Sequence, residues 1–183
     1  MAGGAADCQF WERNLAMQCR LYELRNGERI SVAAASKIIC NWMYQYKNRF
    51  SVGSMIAGYD KEGPQLFYVD SGAMRLNSNY CFSVGSGSTY AYGVLDAGWK
   101  WELTDDEAIK LGRKSIYHAT HRDAYSGGYV NVYHIKKEGW VNISHDDCFQ
   151  LYQTYYPKKS KAINEVNQEE RKEEDDDGDA TMS

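Results

Sequence analysis

The sequence lacks the features of membrane, secreted and low-complexity chains. No apolar run approaches the roughly 20 residues that a helix needs to cross a bilayer. The first residues have neither a basic start nor an apolar stretch, so we expect no signal peptide. Proline occurs only 2 times in 183 residues, which argues against a proline-rich linker. The sequence therefore predicts one folded domain, long enough to bury a substantial core.

Cysteine is sparse, and its spacing excludes two common uses. The 5 cysteines are odd in number, scattered, and nowhere arranged as CxxC. This pattern predicts reduced thiols in a cytosolic or nuclear protein, without a disulfide framework or a zinc site. His118 and His121 are three residues apart, but no carboxylate or cysteine completes a ligand set at suitable spacing. We therefore predict no metal and no cofactor.

Charge is unevenly distributed along the chain. Residues 158–183 carry nine acidic and five basic side chains, so residues 1–157 carry 16 of each and are neutral. A folded body without a basic excess is an improbable partner for nucleic acid. The predicted organisation is a domain at 1–157 followed by an acidic, disordered tail at 158–183.

Helix signals are frequent. Asp7 is predicted to cap a helix that runs to about Asn26 and stops at Gly27, and Ser31 to cap a second helix. Thr104 and Glu107 form a capping box that opens a helix to about Asp123. Its predicted buried side consists of Ala108, Ile109, Gly112, Ile116 and Ala119. A last helix is expected from Asp146 to about Tyr156, with 144–147 as its start.

Strand patterns fall between these helices. The predicted strands are Ser51 to Tyr59, Gln65 to Val69, Tyr80 to Val84, Tyr129 to Ile135 and Trp140 to Ser144. Two of the links between them, 60–64 and 136–139, have the chemistry of hairpin turns. Helices grouped around blocks of hairpins favour an α+β fold with antiparallel sheets over alternating parallel βαβ units.

Three stretches make the chain resemble a β-type proteasome subunit of the chymotrypsin-like class (beta type-5). They are Met1-Ala2-Gly3-Gly4-Ala5-Ala6-Asp7-Cys8, then Phe82-Ser83-Val84-Gly85-Ser86-Gly87-Ser88, and His121-Arg122-Asp123-Ala124-Tyr125-Ser126-Gly127-Gly128. The resemblance extends from the first residue to about Pro157, in the order and spacing of the family.

The resemblance implies a four-layer αββα sandwich of the N-terminal-nucleophile hydrolase type. In that family an N-terminal threonine attacks the peptide carbonyl and its own α-amine handles the proton, which a pKa near 8 allows. The first threonine of this sequence is Thr89, and Met1 corresponds to an internal family position. We therefore expect the chain to lack the N-terminal segment with the first strands and the nucleophile.

The resemblance also assigns residues near the start of the chain. Gly3 corresponds to the backbone N–H donor of the oxyanion hole, a contact that typically stabilises the intermediate by about 3 kcal/mol. Met1 and Ala5 correspond to positions lining an apolar S1 pocket, which suits a large hydrophobic P1 residue. Cys8 either touches this pocket or packs at the helix entry. Without the resemblance, Gly3 reads as part of a flexible leader.

Three polar residues, Ser86, Asp123 and Ser126, correspond to the family's polar shell around the threonine. The carboxylate orients the nucleophile's surroundings, and the serines contact the amine and a nearby water. The structural alternatives are a turn residue for Ser86, a helix-end acid for Asp123 and an ordinary loop for Ser126. An acid at a helix C-terminus opposes the helix dipole, which favours the functional reading for Asp123.

These observations predict a subunit of a stacked-ring protease that cleaves ubiquitin-tagged proteins after hydrophobic residues, in cytoplasm and nucleus. Its expected partners are neighbouring α and β subunits and polypeptide substrates, with no nucleic acid and no membrane. The alternative is a non-catalytic structural subunit of the ring. A third hypothesis, a cysteine hydrolase using Cys8 and His121, has no sequence feature that brings those side chains together.

Overall fold

A computed structural model describes residues 1–46 and 49–157, and the predicted acidic tail at 158–183 lies outside the described residues. Within this part of the chain, helices and strands follow one another as β1 (Ala2–Gly3), α1 (Ala5–Asn26), α2 (Val32–Gln45), β2 (Val52–Asp60), β3 (Gly63–Asp70), β4 (Arg75–Asn77), α3 (Ser88–Gly98), α4 (Asp105–Arg122), β5 (Tyr129–Lys136), β6 (Gly139–Asp147) and α5 (Cys148–Tyr155). None of the described helices combines the length and the apolar character needed to cross a membrane.

The ends of α1 and α2 are set by local capping. Gly27 has a left-handed backbone (φ 69°) and donates its N–H to the Glu23 carbonyl, as predicted for the end of α1. The Ser31 hydroxyl accepts the Ala34 N–H at 3.1 Å, which confirms the predicted cap of α2. The predicted cap at Asp7 is wrong, because Gly4 precedes α1 and Asp7 lies in its first turn. An acid there still complements the helix dipole.

An antiparallel sheet in the order β1-β2-β3-β4 forms the centre of the first half of the molecule. The predicted hairpin between β2 and β3 is confirmed, with Asp60 opposite Gly63. The carboxylate of Asp60 accepts the Glu62 N–H within the turn and the Val32 N–H at the start of α2, both at 2.9 Å. The first bond shapes the turn, and the second ties the hairpin to the helix that covers the sheet.

The larger core lies between this sheet and helices α1 and α2. Its buried members, called here the Trp11 core, are Trp11, Ile39, Cys40, Met43, Val52 and Val69. The Trp11 ring contacts those of Trp42 and Phe50 at centroid distances of 5.1 and 5.3 Å. Close packing of this kind anchors β2, the strand on which β1 is aligned.

The predicted strand from Tyr80 to Val84 is wrong. The strand that pairs with the free edge of β3 is β4, in which Arg75 lies opposite Val69. The apolar run at 80–84 instead packs through side chains alone: Phe82 lies 5.7 Å from the ring of Tyr68. The apolar and aromatic composition of the run fits a strand, but the run joins neither sheet.

The second half of the molecule is built on the hairpin of β5 and β6, whose predicted turn is confirmed. Helices α4 and α5 pack on this hairpin, and their shared buried residues, called here the Tyr117 core, are Tyr117, Val130 and Leu151. The predicted start of the last helix is too early, since Ser144, His145 and Asp146 belong to β6. Asp147 is the N-cap of α5, accepting the Phe149 N–H at 2.7 Å.

Helix α4 begins at the predicted capping box, in which both reciprocal bonds between Thr104 and Glu107 are present. Its predicted buried side is wrong in part. The fully buried residues are Ser115, Tyr117 and Ala119, whereas Ala108 and Ile116 are exposed and Ile109 and Gly112 are half-buried. The reason is that α4 contacts α3, β5 and α5 on different sides, so burial does not follow one stripe.

The two halves meet where β2 contacts β5. Helices α1 and α2 cover the outer face of the four-stranded sheet, and α4 and α5 cover the outer face of the β5–β6 sheet. The order of layers is therefore helices, sheet, sheet, helices, in agreement with the predicted α+β sandwich of the N-terminal-nucleophile hydrolase type.

Candidate functional site

An open cleft of about 850 Å³ lies between the two halves of the molecule. The first half contributes the segment at the start of the chain and its neighbour β2, and the second contributes the 83–88 loop, α4 and the loop after it. Six of the seven predicted site residues line this cleft, and they are Met1, Gly3, Ala5, Cys8, Ser86 and Ser126. The seventh, Asp123, is bonded to two of them.

Gly3 has a backbone conformation that only glycine adopts without strain. Its φ is 137°, and a Cβ atom at this position would lie 1.9 Å from the Ser51 carbonyl oxygen. Gly3 is opposite Val52 in the short pairing of β1 with β2, and the next N–H, of Gly4, donates to the Ser51 carbonyl at 3.1 Å. The rim of the cleft is thus held by backbone contacts that exclude a side chain.

The 85–87 segment contacts both walls of the cleft, through Gly85 on the side of the first half and through Gly87 on the side of the second. A Cβ on Gly85 would lie 3.2 Å from the Ala2 side chain in the first half. A Cβ on Gly87 would lie 3.0 Å from the Ala119 Cβ and 3.2 Å from both an Asp123 carboxylate oxygen and the Ser126 hydroxyl. A side chain at position 87 would therefore push against the polar group in the cleft.

Asp123 and the two serines form one hydrogen-bonded group. A single carboxylate oxygen of Asp123 accepts the Ser86 hydroxyl at 2.6 Å and the Ser126 hydroxyl at 2.5 Å. Asp123 is the residue at the C-terminal end of α4, and the Ser126 N–H donates to its carbonyl at 3.1 Å. The turn at 123–126 therefore points the carboxylate at the 85–87 segment. The two serine hydroxyls supply hydrogen bonds to this acid, which would otherwise be unfavourable at the C-terminal end of a helix.

These bonds also set the charge of the group. Hydrogen bonds from Ser126 and then Ser86 lower the pKa of the Asp123 carboxyl below its ordinary value. Asp123 is consequently a carboxylate at neutral pH, and both hydroxyl hydrogens are committed to it. The serine oxygens keep their lone pairs available as acceptors, which suits binding of a protonated amine or a water.

The side chains assigned to the S1 pocket occupy the wall formed by the first half. Met1, Ala5 and Cys8 all line the cleft, with Val52 beside them. Cys8 also packs against the Trp11 core, so it lies between the cleft and the interior of the first half. Since a thioether, a methyl group, a thiol and an isopropyl group surround this part of the cleft, the wall is apolar.

Several polar residues of the cleft were missed by reasoning from the sequence, namely Ser51, Tyr68, Asp70, Ser83, Thr120 and Tyr125. No local pattern marks them, because they come from five separate segments of the chain. His121 does not line the cleft; its ring stacks instead near Tyr117 and Tyr152, at centroid distances of 6.0 Å. Cys8 and His121 are thus not brought together at the cleft.

Among the described residues, no group of three metal-ligating side chains is found.

The layer order and the cleft define an N-terminal-nucleophile hydrolase fold. Residues 1–135 match the sequence profile of the proteasome subunit, and the chain belongs to the proteasome subunit family.

The chain is similar to several curated proteins of this family. It is 66% identical to proteasome subunit beta type-5 of Dictyostelium discoideum over 157 residues, covering 85% of this chain and 57% of the relative. It is 58% identical to proteasome subunit beta type-8 of Homo sapiens (85% of this chain, 56% of the relative). It is 54% identical to proteasome subunit beta type-5-A of Arabidopsis thaliana (92% and 62%). The chain thus spans less than two thirds of the length of these relatives.

Proposed function

We propose that this chain supplies the substrate-binding wall and the polar shell of a chymotrypsin-like threonine endopeptidase site in a proteasome β subunit. The observation that carries the proposal is the cleft in which Asp123 bonds both Ser86 and Ser126 opposite the apolar wall of Met1, Ala5 and Cys8. The family relationship supplies the reaction class, which is hydrolysis of a peptide bond by a threonine nucleophile.

Each group has a distinct role in the proposed reaction. The apolar wall binds a large hydrophobic P1 side chain, so that the carbonyl after it stands at the rim of the cleft. Gly3 offers its backbone N–H to the oxygen that becomes negative in the tetrahedral intermediate. The carboxylate of Asp123 holds the two serines, and their oxygens orient the amine that takes the proton from the nucleophile. The chain covers 57% of the beta type-5 relative from Dictyostelium discoideum, and we assign the nucleophile to the part of a full-length subunit that this chain does not cover.

The partners and location follow from the same proposal. A β subunit of this family would contact neighbouring α and β subunits in a stacked-ring particle and receive unfolded polypeptides, including ubiquitin-tagged proteins. The corresponding compartments are the cytoplasm and the nucleus. The competing function is a non-catalytic structural subunit, for which the three-residue polar group would have no use.

The proposal is tested by expressing the 183-residue chain and, separately, the same chain with its upstream reading frame, called here the extended chain. Each purified particle is assayed with a fluorogenic peptide that has a hydrophobic P1 residue. We expect cleavage only with the extended chain. Incorporation of the extended chain without any hydrophobic-P1 cleavage would contradict the proposal and favour the structural subunit.

A further inference from the structure

The stretch of chain that leads into the polar group of the cleft is held in place by side chains. Residues 81–84 belong to no helix or strand, and within the described part of the chain they take part in no backbone-to-backbone hydrogen bond. Phe82 packs on the ring of Tyr68 in β3, at a centroid distance of 5.7 Å. The stretch ends at Ser86, whose hydroxyl is bonded to Asp123 in the second half. Its position over the four-stranded sheet therefore depends on side-chain contacts.

Val84 packs directly on the backbone of β2 at Gly53. A Cβ atom added to Gly53 would lie 2.7 Å from a methyl carbon of Val84. Carbon atoms in ordinary contact are about 3.5 to 4.0 Å apart, so the two groups would overlap. Gly53 does not have a left-handed backbone, so Val84, and not strain, excludes an alanine here. The absent side chain at position 53 thus makes the room that Val84 occupies.

The same point of β2 aligns the strand that carries the proposed oxyanion donor. In the pairing of β1 with β2, Ala2 lies opposite Gly53. A Cβ on Gly85, which follows Val84, would lie 3.2 Å from the Ala2 side chain. Residues Val84 and Gly85 are therefore packed against both strands at the rim of the cleft, beside Gly3.

We propose that Val84, packed against Gly53, is a positioning residue that sets the distance between Ser86 and the oxyanion donor Gly3. This role rests on the proposed peptidase function, because it concerns two groups of that site. A misplacement of about 1 Å can slow an enzymatic reaction about a hundredfold, since the reacting groups must be aligned. Binding of the P1 side chain depends instead on the apolar wall and should change little.

Gly53→Ala in the particle that carries the extended chain tests this role. The added methyl group would push Val84 away from β2. We therefore expect kcat for a hydrophobic-P1 peptide to fall about tenfold, with KM within about twofold of the unmodified value.

The matched control lies on the same strand. A Cβ on Gly58 would also lie 2.7 Å from a valine methyl carbon, that of Val32 in the first turn of α2. Gly58 does not line the cleft. Gly58→Ala introduces the same kind of overlap away from the site, so kcat should stay unchanged.

A second substitution separates positioning from a general loss of packing. Val84→Ala removes the methyl groups that the added Cβ would meet, and alone it should lower kcat about threefold, because the stretch is held less firmly. In the double variant Gly53→Ala/Val84→Ala the new methyl group fills the gap. Since the two changes compensate, kcat should return to within about twofold of the unmodified particle.

The possible results separate this role from the function on which it rests. Equal kcat for Gly53→Ala and Gly58→Ala, losses that multiply in the double variant, or a change confined to KM and P1 preference would overturn the role of Val84. Where Gly53→Ala does not assemble, an unchanged kcat of the Val84→Ala particle would do the same. Absence of cleavage by the unmodified extended chain would overturn the proposed function itself, and this role with it.

Discussion

The half of the molecule around Trp11 and the half around Tyr117 differ in how completely they bury their apolar residues. The Trp11 core has six buried members, whereas the Tyr117 core has three. In the second half, aromatic residues of the β5–β6 hairpin remain exposed, with exposed fractions of 54% for Tyr133 and 68% for Trp140. The larger packed core therefore lies in the first half. The cleft requires both halves of the molecule, because its apolar wall comes from the first half and its polar group from the second.

The largest expected effect is a loss of unfolding free energy when a residue of the Trp11 core, the larger of the two, is removed. Trp11→Ala should cost about 3 to 5 kcal/mol of unfolding free energy, because the cavity would remove contacts with Trp42 and Phe50. Leu151→Ala, in the smaller core, should cost about 2 kcal/mol, at the low end of the usual range. Urea unfolding followed by tryptophan fluorescence measures both. Leu24→Ala is the control, since this leucine is 66% exposed. A greater loss for Leu151→Ala would reverse the comparison.

The next effect concerns the polar group contributed by the second half. Asp123→Asn replaces an acceptor of two hydroxyls by an amide of the same shape, so the serines lose their fixed orientation. In the extended chain we expect kcat/KM for a hydrophobic-P1 peptide to fall about 10- to 100-fold, mainly through kcat. Asp105→Asn, on the exposed first turn of the same helix, should leave it unchanged. Equal activity of the two variants would show that the carboxylate takes no part in the site.

The smallest effect is a shift in titration. Replacing Ser86 and Ser126 together by alanine should raise the pKa of Asp123 towards its ordinary value of 3.8, because the hydrogen bonds that lower it are removed. The depressed folded pKa contributes stability above the unfolded value, and this contribution is lost as pH falls through the folded pKa. The unfolding free energy of the double variant should thus depend less on pH below about 4. Carboxyl-detected NMR titration gives the pKa directly, and an unchanged value would refute this cause.

The features predicted best from the sequence are those with partners within a few residues. The cap at Ser31, the box of Thr104 with Glu107 and the stop at Gly27 each depend on a bond spanning four residues or fewer. Both hairpin turns are local in the same sense. Such features can be read from order and spacing alone, because the chain needs no distant partner to form them.

Features that depend on distant partners were predicted poorly. The 80–84 run resembles a strand in its composition, yet the strand that pairs with β3 is at 75–77. Ile116 fits the buried side of α4 by spacing, but it faces the cleft. In both cases tertiary packing decides, and periodicity does not report which neighbour a side chain meets.

The polar group illustrates the same limit at the site. Ser86 and Asp123 are 37 residues apart in the chain, and only the resemblance to a known family suggested that they meet. The close approach at Gly87 was not predicted, because nothing local distinguishes this glycine from its neighbour Gly85. Distances across the cleft depend on tertiary packing, and they cannot be read from local sequence patterns.

The specificity of the cleft tests the central claim most directly. Ala5→Val in the extended chain adds two methyl groups to the apolar wall, so the pocket should no longer accept a large P1 side chain. We expect the ratio of kcat/KM for a phenylalanine-P1 peptide to that for an alanine-P1 peptide to fall about tenfold or more. Ala16→Val, on an exposed side of the same helix, should leave the ratio unchanged. An unchanged ratio in the active Ala5→Val particle would contradict the assignment of this cleft as the substrate-binding site.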